Sequence, residues 1–167
     1  MQSDKMISHA FISKKLFVKK SKITGKGIYA AKDIKKNELI FVVKGIILKF
    51  EPEDDSWSVP HAISYAKDRW LNPYHNNPLR YTNHSCDANA IITDGLKVIA
   101  LKKIMKGSEI TVDYSLTEID PEWSGLNCRC RAKDCRNKIR DVRTIPKKTF
   151  RKYEKYLRKF VVDEYYS

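Results

Sequence analysis

The sequence predicts a mostly β, α+β domain that ends in a helix, and three observations predict it. Short runs rich in β-branched and aromatic residues recur through the first two thirds of the chain. Turn chemistry separates them, at Thr24-Gly25-Lys26-Gly27, near Gly45, and across Asn72-Pro73 and Asn77-Pro78. A sustained three-to-four spacing of apolar residues is found only near the C-terminus.

Leu16-Phe17-Val18 reads as a first strand. The stretches from Glu38 to Val43 and from Gly45 to Leu48 read as two strands broken near Gly45. After the acidic run 51–55, the part to about Trp70 has no clean period and is expected to hold at most a short helix, and Leu71 to Pro78 reads as turn. Leu96 to Leu101 alternates as a strand, and Ile110 to Tyr114 forms another after Gly107. Ile145-Pro146 opens a helix, with Thr144 as its cap and Pro146 in its first turn. Phe150, Tyr153, Leu157 and Phe160 make one apolar stripe on it, and lysines and arginines fill the rest. Such a helix docks on the domain and leaves a basic face for nucleic acid.

A chain of 167 residues is long enough to bury a core as one domain. Glycine and proline, six of each, are too few for a fibrous or low-complexity chain. The net charge of +13 favours an anionic partner such as nucleic acid or a nucleoprotein, and fits a well-solvated basic surface equally well. No run reaches the roughly 20 apolar residues of a membrane span. The N-terminus lacks the pattern of a secretory signal, so a soluble intracellular protein is expected.

Four cysteines are present, three of them in Cys128-Arg129-Cys130 and Cys135. In an intracellular chain this clustering points to metal rather than to disulfides. A structural zinc wants four tetrahedral ligands, and Cys86 would complete a four-thiolate set that uses every cysteine. His84 is the alternative fourth ligand, and unrelated reduced thiols are the plain reading. Gly25-Lys26-Gly27 does not continue into a dinucleotide fingerprint; it reads as a turn that lets backbone approach a ligand closely. Asn83-His84-Ser85-Cys86 is the densest polar cluster. Ser85 and His84 are adjacent and no nucleophile elbow surrounds them, which argues against a hydrolase. The run from Glu109 to Tyr114 ends a strand on a carboxylate and a phenol.

In order and spacing, these pieces resemble the SET domain family of lysine methyltransferases. Gly25 to Ala30 is similar to the family's first motif. Leu79 to Asn89 is similar to its signature, Lys106 to Tyr114 to its catalytic strand, and Cys128 to Cys135 to its post-SET zinc segment. Ala88 stands where the signature usually has proline, and Val112 where Phe or Tyr often precedes the catalytic tyrosine by two. The basic tail is similar to that of compact bacterial members.

The resemblance implies a β-clip fold of small curved sheets with a threaded pseudoknot. It divides the chain into an extension (1–14), a SET domain (15–116), a post-SET zinc segment (117–140) and a basic helix (141–167). It implies transfer of a methyl group from S-adenosylmethionine to the ε-amino group of a protein lysine. Tyr114 would stand at the transfer point, and Lys26, Gly27, Tyr29, Arg80, Asn83 and His84 would hold the cofactor with it. Tyr81 and Val112 would line the substrate channel. Cys86, Cys128, Cys130 and Cys135 would bind one structural Zn2+. The implied partner is a histone-like or ribosomal protein, with nucleic acid on the basic surface and no membrane; in an intracellular bacterium, delivery into a host cell would fit. The acidic run 51–55 would flank the substrate groove. The competing reading is a catalytically silent SET-like module that binds chromatin or nucleic acid.

Overall fold

The computed structural model describes residues 11–49 and 61–167. The acidic run 51–55 lies outside the described residues. β1 (Phe11–Ser13) and β2 (Leu16–Lys20) form a hairpin, and β3 (Lys26–Ala30) pairs with β2 from Leu16↔Ala30 to Lys20↔Lys26. Gly25 makes the intervening turn at φ 49°, a conformation glycine adopts without a Cβ penalty.

The next two strands, β4 (Leu39–Val42) and β5 (Gly45–Lys49), are separated near Gly45 and enter different sheets. β6 (Ile63–Ala66) and β7 (Arg69–Pro73) follow as an antiparallel hairpin. This corrects the short helix expected up to about Trp70 and the turn expected from Leu71 to Pro78. β7 buries Leu71 between its cross-strand partners Ile47 and Ile63, which a period of two allows and a helix would not. Pro73 sits at the last position of the strand, where a missing N–H costs the ladder least.

β8 (Asn83–His84), β9 (Ala90–Ile92), β10 (Lys97–Ala100) and β11 (Glu109–Val112) complete the central part. The largest sheet has the order β1-β2-β3-β11-β8, and its last pair is parallel, with Thr111↔Asn83 and Val112↔His84 in register. This pairing carries Asn83 and His84 alongside β11, which ends two residues before Tyr114. The sheets β4-β10-β9 and β5-β7-β6 pack around it. Leu16, Ile28, Ile34, Val98, Ile104 and Ile110 are fully buried in the shared core.

β12 (Leu126–Asn127) and β13 (Lys138–Ile139) bracket the cysteine segment as a two-stranded ribbon. The C-terminal region holds two helices, α1 (Lys147–Tyr153) and α2 (Lys159–Tyr166), rather than one. The break falls at Leu157 and Arg158, both extended, and Pro146, not Thr144, sits at the α1 N-cap. Its reason is visible in the packing. Tyr165 stacks on Phe150 with ring centroids 3.6 Å apart and donates to the Ile145 carbonyl at 3.0 Å. Fifteen residues of continuous helix would separate those rings by about 22 Å. Folding back lets Phe150, Leu157 and Val161 all enter a second core with Ile91, Leu116, Ile119, Val142 and Ile145. No helix among the described residues is long and apolar enough to cross a membrane.

Candidate active site and cysteine cluster

A cavity of about 790 Å³ opens where β3, β6, β8 and β11 converge. Thr24, Gly25, Lys26, Arg80, Tyr81, Asn83, Val112 and Tyr114 line it, together with His61, Trp70, Glu118, Asp120 and Trp123. Of the residues expected at the cofactor and channel, the structure therefore gathers Lys26, Arg80, Tyr81, Asn83, Val112 and Tyr114. Gly27, Tyr29 and His84 stand behind this lining.

Tyr114 is the second residue after β11 and opens a 3-10 turn, Tyr114–Thr117, which the Asp113 side chain caps by accepting from the Ser115 N–H at 3.1 Å. Its backbone N–H donates to His84 Nδ1 at 3.1 Å, and its hydroxyl donates to the Thr82 carbonyl at 2.7 Å. Burial, reinforced by the charge of Glu109, pushes the phenol up to about 12. Tyr114 therefore stays protonated near neutral pH; it can orient a reacting group by hydrogen bonding and is no base.

Arg80 is fixed from behind, donating through Nε to the Pro73 carbonyl at 2.9 Å and through Nη2 to Asn72 Oδ1 at 3.0 Å. Asn83 reaches under the glycine turn. Its Nδ2 donates to the carbonyls of Thr24 at 3.2 Å and Lys26 at 3.1 Å, and to Glu109 Oε1 at 2.7 Å. Glu109 also accepts from Ser21 Oγ at 2.8 Å and from the Tyr29 hydroxyl at 2.9 Å. One carboxylate thus ties the residue after β2 to β3, β8 and β11 beneath the turn. Gly27 exists for this contact, since a Cβ there would collide with the Glu109 carboxylate. Reading the sequence by strand periodicity passes over Glu109 as an ordinary strand residue. The signal that could have found it is a carboxylate beginning a buried apolar strand, in a chain that also keeps a glycine on the neighbouring one.

His84 points away from the cavity. Burial is the largest influence on its imidazole and outweighs the nearby Asp113 charge, pushing it down to about 4. The ring is neutral. Because Nδ1 accepts from Tyr114, the proton resides on Nε2, which is 3.2 Å from Cys86 Sγ. With its proton there, Nε2 donates to the sulfur.

Cys86 Sγ lies 3.8 Å from Cys128 Sγ, and the donor atoms of His84, Cys86, Cys128 and Cys130 all fall within 4.8 Å of one another. Cys135 Sγ interacts with both Cys128 and Cys130. Backbone N–H groups approach the sulfurs: Arg136 to Cys86 at 3.4 Å, Ala132 to Cys130 at 3.5 Å and Asn137 to Cys135 at 3.4 Å. The set within that radius, three sulfurs and an imidazole nitrogen with Cys135 Sγ beside it, fits a soft divalent ion. Burial pushes the Cys86 thiol up to about 11, and a dication among the sulfurs acts in the opposite sense. Arg136, next to Cys135, forms a two-pronged ion pair with Asp113 at 2.8 and 2.6 Å. The cysteine segment is thereby joined to the residue preceding Tyr114.

Comparison with known proteins agrees with this geometry. The sequence pattern of the SET domain matches residues 25–115, more than half of the chain. The chain is 27% identical over 140 residues to human histone-lysine N-methyltransferase 2D, covering 72% of this chain and 2% of that protein. It is 29% identical over 136 residues to the histone-lysine N-methyltransferase trr of Drosophila melanogaster, covering 72% of this chain and 6% of that protein. It thus spans only a small part of these relatives' length. In three dimensions it resembles the methyltransferase domain of human histone-lysine N-methyltransferase SETMAR, with a TM-score of 0.57 at 20% identity, covering 74% of this chain and 57% of that one. The sheets, the site built on Asn83 and Tyr114, and the match across residues 25–115 place this chain in the SET domain family.

Proposed function

We propose that this chain is an S-adenosylmethionine-dependent methyltransferase that modifies the ε-amino group of a lysine in a protein substrate. The observation that carries the reading is Tyr114. A protonated phenol, held by Thr82 and the β8–β11 pairing, lines one cavity together with the signature residue Asn83 and the glycine turn.

Lys26, Arg80 and Asn83 supply the polar groups that would hold the cofactor, and Gly25 allows its close approach to the backbone. The cofactor, when bound, supplies an activated methyl group on a sulfonium. A lysine attacks only as the neutral amine; from an ordinary pKa of about 10.4, losing its proton at pH 7 costs about 4–5 kcal/mol. Tyr81, Val112, Trp70 and Trp123 line the cavity with apolar and aromatic surface, which disfavours the ammonium. Tyr114 orients the amine, and alignment in a confined channel lowers the remaining barrier.

Four thiolates, Cys86, Cys128, Cys130 and Cys135, are proposed to hold one structural zinc, with His84 donating to Cys86. The competing set replaces Cys135 by His84; zinc-edge absorption distinguishes four sulfurs from three sulfurs and a nitrogen. For substrate we propose a basic, nucleic-acid-associated protein, a histone or a ribosomal protein, following the relatives' names and the +13 charge. The test is a labelled-cofactor assay across histones, ribosomal proteins and whole lysate, with mass spectrometry of the labelled band. Label on a lysine supports the reading. Calorimetric evidence that the folded protein binds no S-adenosylmethionine would defeat it and favour a silent module.

A further inference from the structure

The segment following Tyr114 brings two carboxylates, Glu118 and Asp120, to the lining of the cavity. Glu118 is built in. Its Oε1 accepts three hydrogen bonds, from Ser64 Oγ at 3.0 Å, the Ile119 N–H at 2.8 Å and the Asp120 N–H at 2.9 Å. Its Oε2 accepts none from the described residues, and the residue is half-buried in the cavity lining. Burial, more than the neighbouring Asp120, pushes this carboxyl above the usual carboxylate range, although the hydrogen bonds oppose the shift. A half-buried carboxylate in a cavity lining, with one oxygen committed and the other without a donor, is matched by a cation.

The target amine is a poor match. A carboxylate against it would hold the ammonium protonated and oppose transfer. The glycine turn and Asn83 already have a carboxylate in Glu109, whose charge bears on the Tyr114 phenol. Glu118 instead is anchored to Ser64 on β6, in the sheet that contributes nothing to that turn. We propose that Glu118 is a specificity-determining residue whose Oε2 receives a lysine or arginine side chain flanking the target lysine, an inference that rests on the methyltransferase reading above. The role suits a chain of net charge +13, in which a carboxylate facing a basic substrate supplies local attraction.

The experiment is a double cycle on the full chain. Peptides carry one target lysine and a single arginine walked along its flanks; a matched set carries citrulline, which keeps the shape and removes the charge. Both sets are assayed with wild type and with Glu118→Gln, which retains the oxygen that accepts from Ser64, Ile119 and Asp120. At one flanking position wild type should prefer arginine by about tenfold in kcat/KM, carried by KM, and the preference should collapse toward one in Glu118→Gln. The arginine–citrulline comparison on wild type stands even if the variant melts early. An active wild type indifferent to the charge at every position overturns the proposal, as does a folded variant that keeps the full preference. A variant that loses cofactor affinity while keeping the peptide preference assigns the carboxylate to the cofactor instead. A wild type that methylates no peptide and no protein defeats the methyltransferase reading, and this proposal with it.

Discussion

Glu109 shows at the scale of one residue how the site is held. Its two oxygens take hydrogen bonds from Ser21, Tyr29 and Asn83, and Gly27 clears the space it occupies. Glu109→Gln turns one acceptor into a donor that faces other donors. We expect a loss of about 1–3 kcal/mol of stability and weaker S-adenosylmethionine binding by calorimetry; unchanged affinity would show that the knot does not shape the turn. The sequence exposed Tyr114 and Asn83 because they stand in patterned motifs. It hid Glu109 because a carboxylate at a strand start has no period, and its partners lie 26, 80 and 88 positions away. His84 was legible as a functional residue, but its direction was not. That direction follows from the Tyr114 N–H taking its Nδ1.

At the scale of the element, the strands built on apolar, β-branched runs were legible: β2, β4, β5, β10 and β11 lie where composition places them. β6 and β7 were not, because Asn72-Pro73 reads as a turn while cross-strand burial of Leu71 decides for a strand. The C-terminal stripe was legible as helix, and its break was not. Stacking of Tyr165 on Phe150 is a tertiary demand that no local spacing records. The break leaves a trace in Arg158, which is 7% exposed, has its guanidinium 4.6 Å over the Phe160 ring, and finds no acceptor for either terminal nitrogen among the described residues. Burial pushes it down to about 10. A buried charge without hydrogen-bond partners costs stability, and an apolar side chain of similar length removes that cost. Arg158→Met should therefore leave the melting temperature unchanged or raise it, by the equivalent of about 1 kcal/mol; a clear fall would mean that the guanidinium has a partner in the folded protein.

At the scale of the whole molecule, two cores meet at β11 and the turn that follows it. One lies among the sheets; the other joins Leu116 and Ile119 to the C-terminal helices. The cysteine cluster and the Arg136–Asp113 ion pair tie the third component to the same turn. A structural zinc contributes about 10–16 kcal/mol of apparent binding energy in small peptides, ample to order so short a segment. Chelation or Cys135→Ser should then lower the melting temperature and reduce transfer together, by loosening the wall of the cavity that Trp123 and Leu126 provide. Full activity in demonstrably zinc-free protein would refute the coupling. The sequence allowed this cluster by counting four cysteines; that the sulfurs converge beside Tyr114 is a property of the fold.

The central claim is that Tyr114 stands where the methyl group moves, and the most direct measurement compares methyl transfer by wild type and Tyr114→Phe at matched cofactor occupancy. Phenylalanine removes the hydroxyl that bonds Thr82 and leaves the ring packing. The account predicts that the variant folds, binds S-adenosylmethionine and loses roughly 100-fold or more of the transfer rate. Wild-type turnover by Tyr114→Phe would contradict it.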